Sequence, residues 1–182
     1  MPRILALDLS LTDTGVCALT VGPGGLLSGT TSRIKSKAGG TRYCDVSARI
    51  STIAQAINFR VSDHKPDLVV IESPALGSTT GQAHSRAWLW GAVYDGIALT
   101  NTEIITVTPQ GVKMYATGRG NADKDEVLAA VIKRYGPLGL DVTNNNVADA
   151  VTEAALGARY IGCPIDGDMP KSHLRALDKL SK

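Results

Sequence analysis

Short apolar runs, two of them closing on an acid, set the rhythm of this chain. Ile4-Leu5-Ala6-Leu7-Asp8-Leu9 and Leu68-Val69-Val70-Ile71-Glu72 read as buried strands. Gly15 to Val21 and Leu26 to Ser32 predict two more, joined across Gly22-Pro23-Gly24-Gly25, so the chain opens as a three-stranded antiparallel meander. A polar, glycine-bearing loop from Lys35 to Thr41 follows. Val46, Ile50, Ile53 and Ile57 then recur at helical spacing, which predicts a helix from about Tyr43 to Val61. After the fourth strand, Ser73-Pro74 and the small-residue stretch Gly77 to Gln82 lead into a second helix over Ala83 to Leu99. Ile104 to Val107 predicts a fifth strand, stopped by Pro109. Short helices over Gln110 to Ala116 and Asp123 to Arg134 precede a last apolar helix over Asn145 to Tyr160. This order predicts an α/β domain over 1–161 with a five-stranded mixed sheet flanked by helices. Pro164, Gly167 and Pro170 then break the pattern. The basic C-terminal arm, 162–182, reads as partly helical over Ser172 to Leu180 or as loose.

The chain of 182 residues is 43% hydrophobic and 20% charged, enough apolar material for one core. No apolar run approaches the roughly 20 residues that span a bilayer. Met1-Pro2-Arg3-Ile4 enters a strand directly, so neither a membrane segment nor a signal peptide is expected. Cys17, Cys44 and Cys163 show no paired spacing, which fits a reducing cytoplasm without disulfides or a zinc site. Net charge is only +2, yet Arg33, Lys35, Lys37, Arg42 and Arg49 are opposed by Asp45 alone in their stretch. Such a patch can follow a phosphate backbone, or be a solvated face.

Candidate chemistry lies in the acids. An ionised side chain inside a buried strand costs several kcal/mol unless it is paired or bound to metal, and Asp8 and Glu72 both occupy such positions. On the last helix Asn146, Asp149 and Glu153 fall at i, i+3 and i+7 along one face, with Asp149 set among Val147, Ala148, Ala150 and Val151. An exposed Asp149 that merely complements the helix dipole is the structural alternative. Carboxylates gathered from separate elements suit two hard cations about 4 Å apart, one activating water and the other offsetting charge on the leaving oxygen. Two Mg²⁺ per site are expected, with Mn²⁺ able to substitute. His64, His84 and His173 are scattered singly and read as surface residues.

Asp8-Leu-Ser-Leu-Thr-Asp-Thr-Gly15, Val70-Ile-Glu72-Ser-Pro74, Val112-Lys113, Gly120-Asn-Ala-Asp-Lys124 and Asn146-Val-Ala-Asp149-Ala150 occur in a telling order. Together, over about residues 3 to 160, they resemble the RuvC-type Holliday junction resolvases of the RNase H-like superfamily, above all divergent bacteriophage members. The resemblance implies an RNase H-like fold and a cytoplasmic homodimer, in the host-cell cytoplasm for a phage product. It also implies binding of four-way junctions and other branched DNA, with paired, metal-dependent nicks that leave 5′-phosphates. By position, Asp8, Glu72 and Asp149 match catalytic metal ligands, and Asn146 stands where bacterial members often carry a fourth acid. An amide oxygen can ligate Mg²⁺ but adds no charge, and Glu153 is a candidate substitute. Lys113 and Lys124 match basic residues that contact DNA phosphate or support the reaction, and Lys124 is counted with the catalytic set. Arg119, Arg86, Lys35 and Lys37 complete the expected DNA contacts. Asp123 with Glu126 reads as a capping box.

Bacterial relatives carry an aromatic ring shortly after the strand acid, stacked on a junction base. Here Ser73-Pro74-Ala75-Leu76-Gly77 offers none, so a broader set of branched DNAs is expected. Trp90, Tyr94 and Ile97 share a face of the second helix and read as core, whereas Trp88 projects elsewhere. The resemblance puts this helix at the dimer interface. Three alternatives stay open: an RNase H-type nuclease acting on RNA–DNA hybrid or structured RNA, a junction-binding protein weakened in catalysis, and one lobe of the sugar-kinase and actin superfamily, whose phosphate hairpin the Asp8–Gly15 stretch also resembles.

Overall fold

The structure, a computed structural model, describes residues 1–74 and 82–181. Strands β1 (Arg3–Asp8), β2 (Asp13–Gly22) and β3 (Gly25–Lys35) form the meander. Helix α1 (Tyr43–His64) returns the chain to β4 (Leu68–Glu72), and α2 (Ala83–Ala98) leads to β5 (Glu103–Val107). Then come α3 (Pro109–Thr117), α4 (Lys124–Tyr135), α5 (Asn145–Tyr160) and the short α6 (Lys171–Leu174). The sheet order is β3-β2-β1-β4-β5, with β2 antiparallel and β4 parallel to β1. Pro109 does more than stop β5. It opens α3 behind Thr108, whose hydroxyl accepts the Gly111 amide at 3.1 Å.

Alternation along the strands divides the core in two. Ile4, Ala6, Cys17, Leu68, Val70 and Ile105 face the layer that contains α3, α4 and α5, while Leu5, Leu7, Val16, Val69 and Ile71 face α1 and α2. Helix α5 lies closest to the sheet because its inner face is nearly all small: Ala148, Ala150, Ala154, Ala155 and Ala158 are buried. Two glycines permit that approach. A Cβ on Gly157 would meet Val70 Cγ2 at 2.6 Å, and one on Gly15 would lie 2.0 Å from the Asn146 carbonyl oxygen. The first turn of α5 thus rests directly on β2.

The C-terminal segment is not a loose arm. Ile165 and Ala176 are buried, and the hydroxyls of Tyr115 and Tyr135 both donate to Asp166, which also pairs with Arg159. Ser181 exchanges backbone hydrogen bonds with Thr106 at 2.7 and 3.1 Å, adding a bridge beside β5. Two histidines expected at the surface are also held in the fold. His64 Nε2 lies 3.1 Å from the Ile4 carbonyl oxygen and His173 Nδ1 lies 2.8 Å from that of Tyr115, whereas His84 is exposed. Among the described residues no helix is long and apolar enough to cross a membrane.

Candidate active site

Strand parity aims two of the acids. Ile4 and Ala6 point toward the α5 layer, so Asp8 does too; Leu68 and Val70 do the same, and Glu72 follows them. The parallel register pairs Ile4 with Leu68 and Ala6 with Val70. Carried one step further, it sets Asp8 beside Glu72 at the carboxyl ends of both strands. Over this point α5 begins, and Asp149, Asn146 and Asn145 join Asp8 and Glu72 in lining a cavity of about 260 Å³. Lys113 from α3, Lys124 from α4 and Arg86 from α2 bring positive charge to its wall, and Ser10 adds a hydroxyl-bearing residue. Ligand oxygens of Asp8, Glu72 and Glu153 lie within 4.8 Å of one another. Asp149 shares the cavity but not this closest grouping.

Crowding of carboxylates shows in their proton affinity. Burial, then the charge of Asp149, pushes Asp8 up to about 7 against the lowering influence of Lys124. Burial, then Asp8 and Asp149, pushes Glu72 up to about 8 in spite of Lys124 and Lys113. Asp149 rises to about 6 through burial, with both lysines pulling the other way. Glu153 is wholly buried and held far above the usual carboxylate range, first by burial and then by the other three acids. Among the described residues neither of its oxygens has a hydrogen-bond partner of normal geometry, although the Leu7 backbone exerts a lowering influence. A divalent cation among these groups would reverse the balance and favour their charged forms. The all-oxygen donor set and the orphaned buried oxygens fit a hard ion such as Mg²⁺ or Mn²⁺.

Neighbouring contacts hold the acids in position. Trp90 Nε1 donates to the Glu72 carbonyl oxygen at 3.0 Å while its ring stacks on Tyr94 at 5.0 Å, so this core aromatic also pins the end of β4. Asn144 caps α5 by accepting the Val147 amide at 2.9 Å and donates to the Asp13 carboxylate at 3.2 Å. Arg33 pairs with that same carboxylate. Asn146 Nδ2 donates to the Asp13 carbonyl oxygen at 2.6 Å, which leaves its Oδ1 as the atom able to serve a cation. Asn145 Oδ1, in the cavity wall, is buried without a partner among the described residues. Neither Trp90 nor Asn145 was legible as a site residue. The only signal for Asn145 was three consecutive asparagines where one cap suffices.

The remaining candidates lie outside the cavity. Lys35, opposite Asp13 at the end of β3, and Lys37 beyond it are exposed, whereas Arg33, Arg42 and Arg49 of the same patch engage Asp13, Asp45 and Ser36. Arg119 makes a two-pronged pair with Glu126 at 2.6 Å. That pair explains why the expected capping box is half formed: Asp123 accepts the Glu126 amide at 2.8 Å, but the Glu126 carboxylate turns to Arg119. Residues 75–81, including most of the loop expected near DNA, lie outside the described residues. A larger depression of about 450 Å³, lined by Thr117, Lys133, Arg134 and His173, holds one acid, Glu126, already engaged by Arg119.

Comparison with known proteins agrees with this geometry. A family model described as crossover junction endodeoxyribonuclease RuvC matches residues 4–156, a span containing Asp8, Glu72, Asn146, Asp149 and Glu153. The chain is 28% identical to the crossover junction endodeoxyribonuclease RuvC of Mycobacterium ulcerans over 177 residues, covering 96% of this chain and 91% of that one. Among solved structures, its fold is similar to Thermus thermophilus RuvC, with a TM-score of 0.67 at 23% identity, over 88% of this chain and 97% of the other. The same Thermus protein in complex with a Holliday junction substrate gives a TM-score of 0.67 at 19% identity, over 89% and 97% of the two chains. With an RNase H-like sheet carrying its acids at the ends of β1 and β4, the chain belongs to the RuvC family of crossover junction endodeoxyribonucleases.

Proposed function

We propose that this chain is a divalent-cation-dependent endonuclease that resolves Holliday junctions in the cytoplasm, acting as a homodimer. The observation that carries the reading is the meeting of Asp8, Glu72 and Asp149 in one cavity flanked by Lys113 and Lys124. Asp8, Glu72, Asp149 and the Asn146 amide oxygen would hold two Mg²⁺ or Mn²⁺ ions. When bound, such ions activate water and offset charge on the departing 3′ oxygen, leaving a 5′-phosphate. The chain's own part is to fix these oxygens on rigid strand ends and on a helix seated against β2. Lys124 and Lys113 offset the acids' repulsion of an incoming phosphodiester, and Lys124 is the basic member of the catalytic set. Arg86 stands at the cavity wall, while Arg119, Lys35 and Lys37 reach more distant phosphates, so affinity falls with salt. With no aromatic ring in Ser73 to Gly77, selection rests on branch shape more than on base stacking.

A two-fold dimer would present two such cavities to a two-fold junction. Its support is the α1–α2 side of the sheet, where Phe59, Trp88 and Leu99 are 69%, 43% and 86% exposed. Light scattering after size exclusion should give a dimer for the wild type and a monomer for Trp88→Glu; a monomeric wild type rejects the dimer.

Cleavage assays on a synthetic four-way junction and an RNA–DNA hybrid, each with Mg²⁺ and with EDTA, test the activity. Symmetrical, Mg²⁺-dependent nicks in the junction are expected. Cleavage of the hybrid alone would move the chain to RNase H-type chemistry, and junction binding without cleavage would make it a binding protein.

A further inference from the structure

We propose that Glu153 is itself a cation ligand of this site, coordinating from the protein interior beneath Asp8 and Glu72. The inference rests on the metal-dependent reading above and extends it to a residue that reading does not use. Glu153 follows Asp149 by one helical turn, on the same face of α5. It is 0% exposed, and its ligand oxygen lies within 4.8 Å of those of Asp8 and Glu72, a carboxylate grouping that Asp149 does not join. Both of its carboxylate oxygens are buried, with no hydrogen-bond partner of normal geometry among the described residues.

A buried carboxylate in that state is costly unless something in the finished molecule completes it. An apolar residue was structurally open at this position, since Val151, Ala154 and Ala155 on the same helix are buried against the same core. Nothing in the packing of α5 asks for a carboxylate there. An ion shared with Asp8 and Glu72 supplies the missing partner. It also explains how this site works with a neutral Asn146, whose Nδ2 is already committed to the Asp13 carbonyl oxygen. Four carboxylates, Asp8, Glu72, Asp149 and Glu153, match the charge of two divalent ions. Without Glu153 the set falls one negative charge short.

Titration of the full chain with Mn²⁺, following free ion by electron paramagnetic resonance, reads the ligand role without reference to turnover. Glu153→Gln keeps the size of the side chain and removes its charge. It should weaken at least one Mn²⁺ site by about tenfold or more and shrink the rise in Tm that Mn²⁺ produces, while Tm in EDTA holds or increases. Glu153→Leu, suited to its apolar surroundings, carries the same expectation should the Gln variant fail to fold. Asp8→Asn is the reference. If it loses Mn²⁺ while both Glu153 variants bind like wild type, Glu153 is a buried neutral group and the inference is overturned, although the site stands. If wild type binds no Mn²⁺, or Asp8→Asn binds it unchanged, the metal reading fails and this inference with it.

Discussion

At Asp8 the chemistry of the site is condensed into one side chain. Burial and the charge of Asp149 hold its carboxyl at about 7, and Lys124 pulls the other way. Replacing it with Asn would remove the proposed ligand and a charge that repels phosphate. Asp8→Asn should therefore cut a four-way junction more than about a hundredfold more slowly and bind it as tightly or more so, as single-turnover rates and mobility shifts would read. Cutting at the parental rate would take Asp8 out of the site. Gly15 tests the scaffold beneath. Gly15→Ala forces a methyl into the Asn146 carbonyl, 2.0 Å from the ideal Cβ position, and should cost roughly 1–3 kcal/mol in urea unfolding. Asp8 and Glu72 were legible in the sequence because an acid inside an apolar strand is too costly to stand there without a partner or an ion. Glu153 was visible only as a third member of a helical spacing. Its depth, and its approach to Asp8 and Glu72, depend on how closely α5 settles on the sheet, which one helix pattern does not encode.

Among the elements, α5 decides whether the site exists. Its alanines bring it close, Gly15 and Gly157 let it settle, and Asn144 fixes its first turn against Asp13. Asn144→Ala deletes both the cap and the link to β2. It should lower unfolding free energy by about 1–2 kcal/mol and reduce junction cleavage by more than that loss explains at temperatures where the protein stays folded. Unchanged cleavage would mean that the start of α5 needs no anchoring. The strands and helices were readable from periodicity and turn residues, since their cores obey alternation and 3.6-residue spacing. The C-terminal segment shows its expected helical turns, in α6 and over Leu177–Lys179, but their anchoring was not readable. Its order comes from distant partners, Asp166 against Tyr115, Tyr135 and Arg159, and Ser181 against Thr106. Arg119 shows the same limit: its pair with Glu126, seven residues further on, is visible only in the fold.

For the molecule as a whole, the acids set a pH dependence of known sign. Carboxyls raised to about 6, 7 and 8 in the folded state at Asp149, Asp8 and Glu72 keep protons that the unfolded chain releases near 4. Their contribution favours the fold at low pH and is lost as pH climbs through those values. Asp13 and Asp45, held below their usual range by Arg33 and Arg42, act oppositely but only in more acidic solution. In EDTA, Tm should therefore fall by roughly 10 °C between pH 5 and pH 8.5, and Mn²⁺ should restore it at the upper end. A flat profile would mean that the carboxyls are not crowded together in the folded protein. The most direct test of the central claim is crystallographic: anomalous scattering from crystals soaked in Mn²⁺. Manganese peaks are expected between Asp8, Glu72 and the α5 carboxylates, at about 2.0–2.2 Å from their oxygens. Ordered density for these side chains with no manganese among them would contradict that claim.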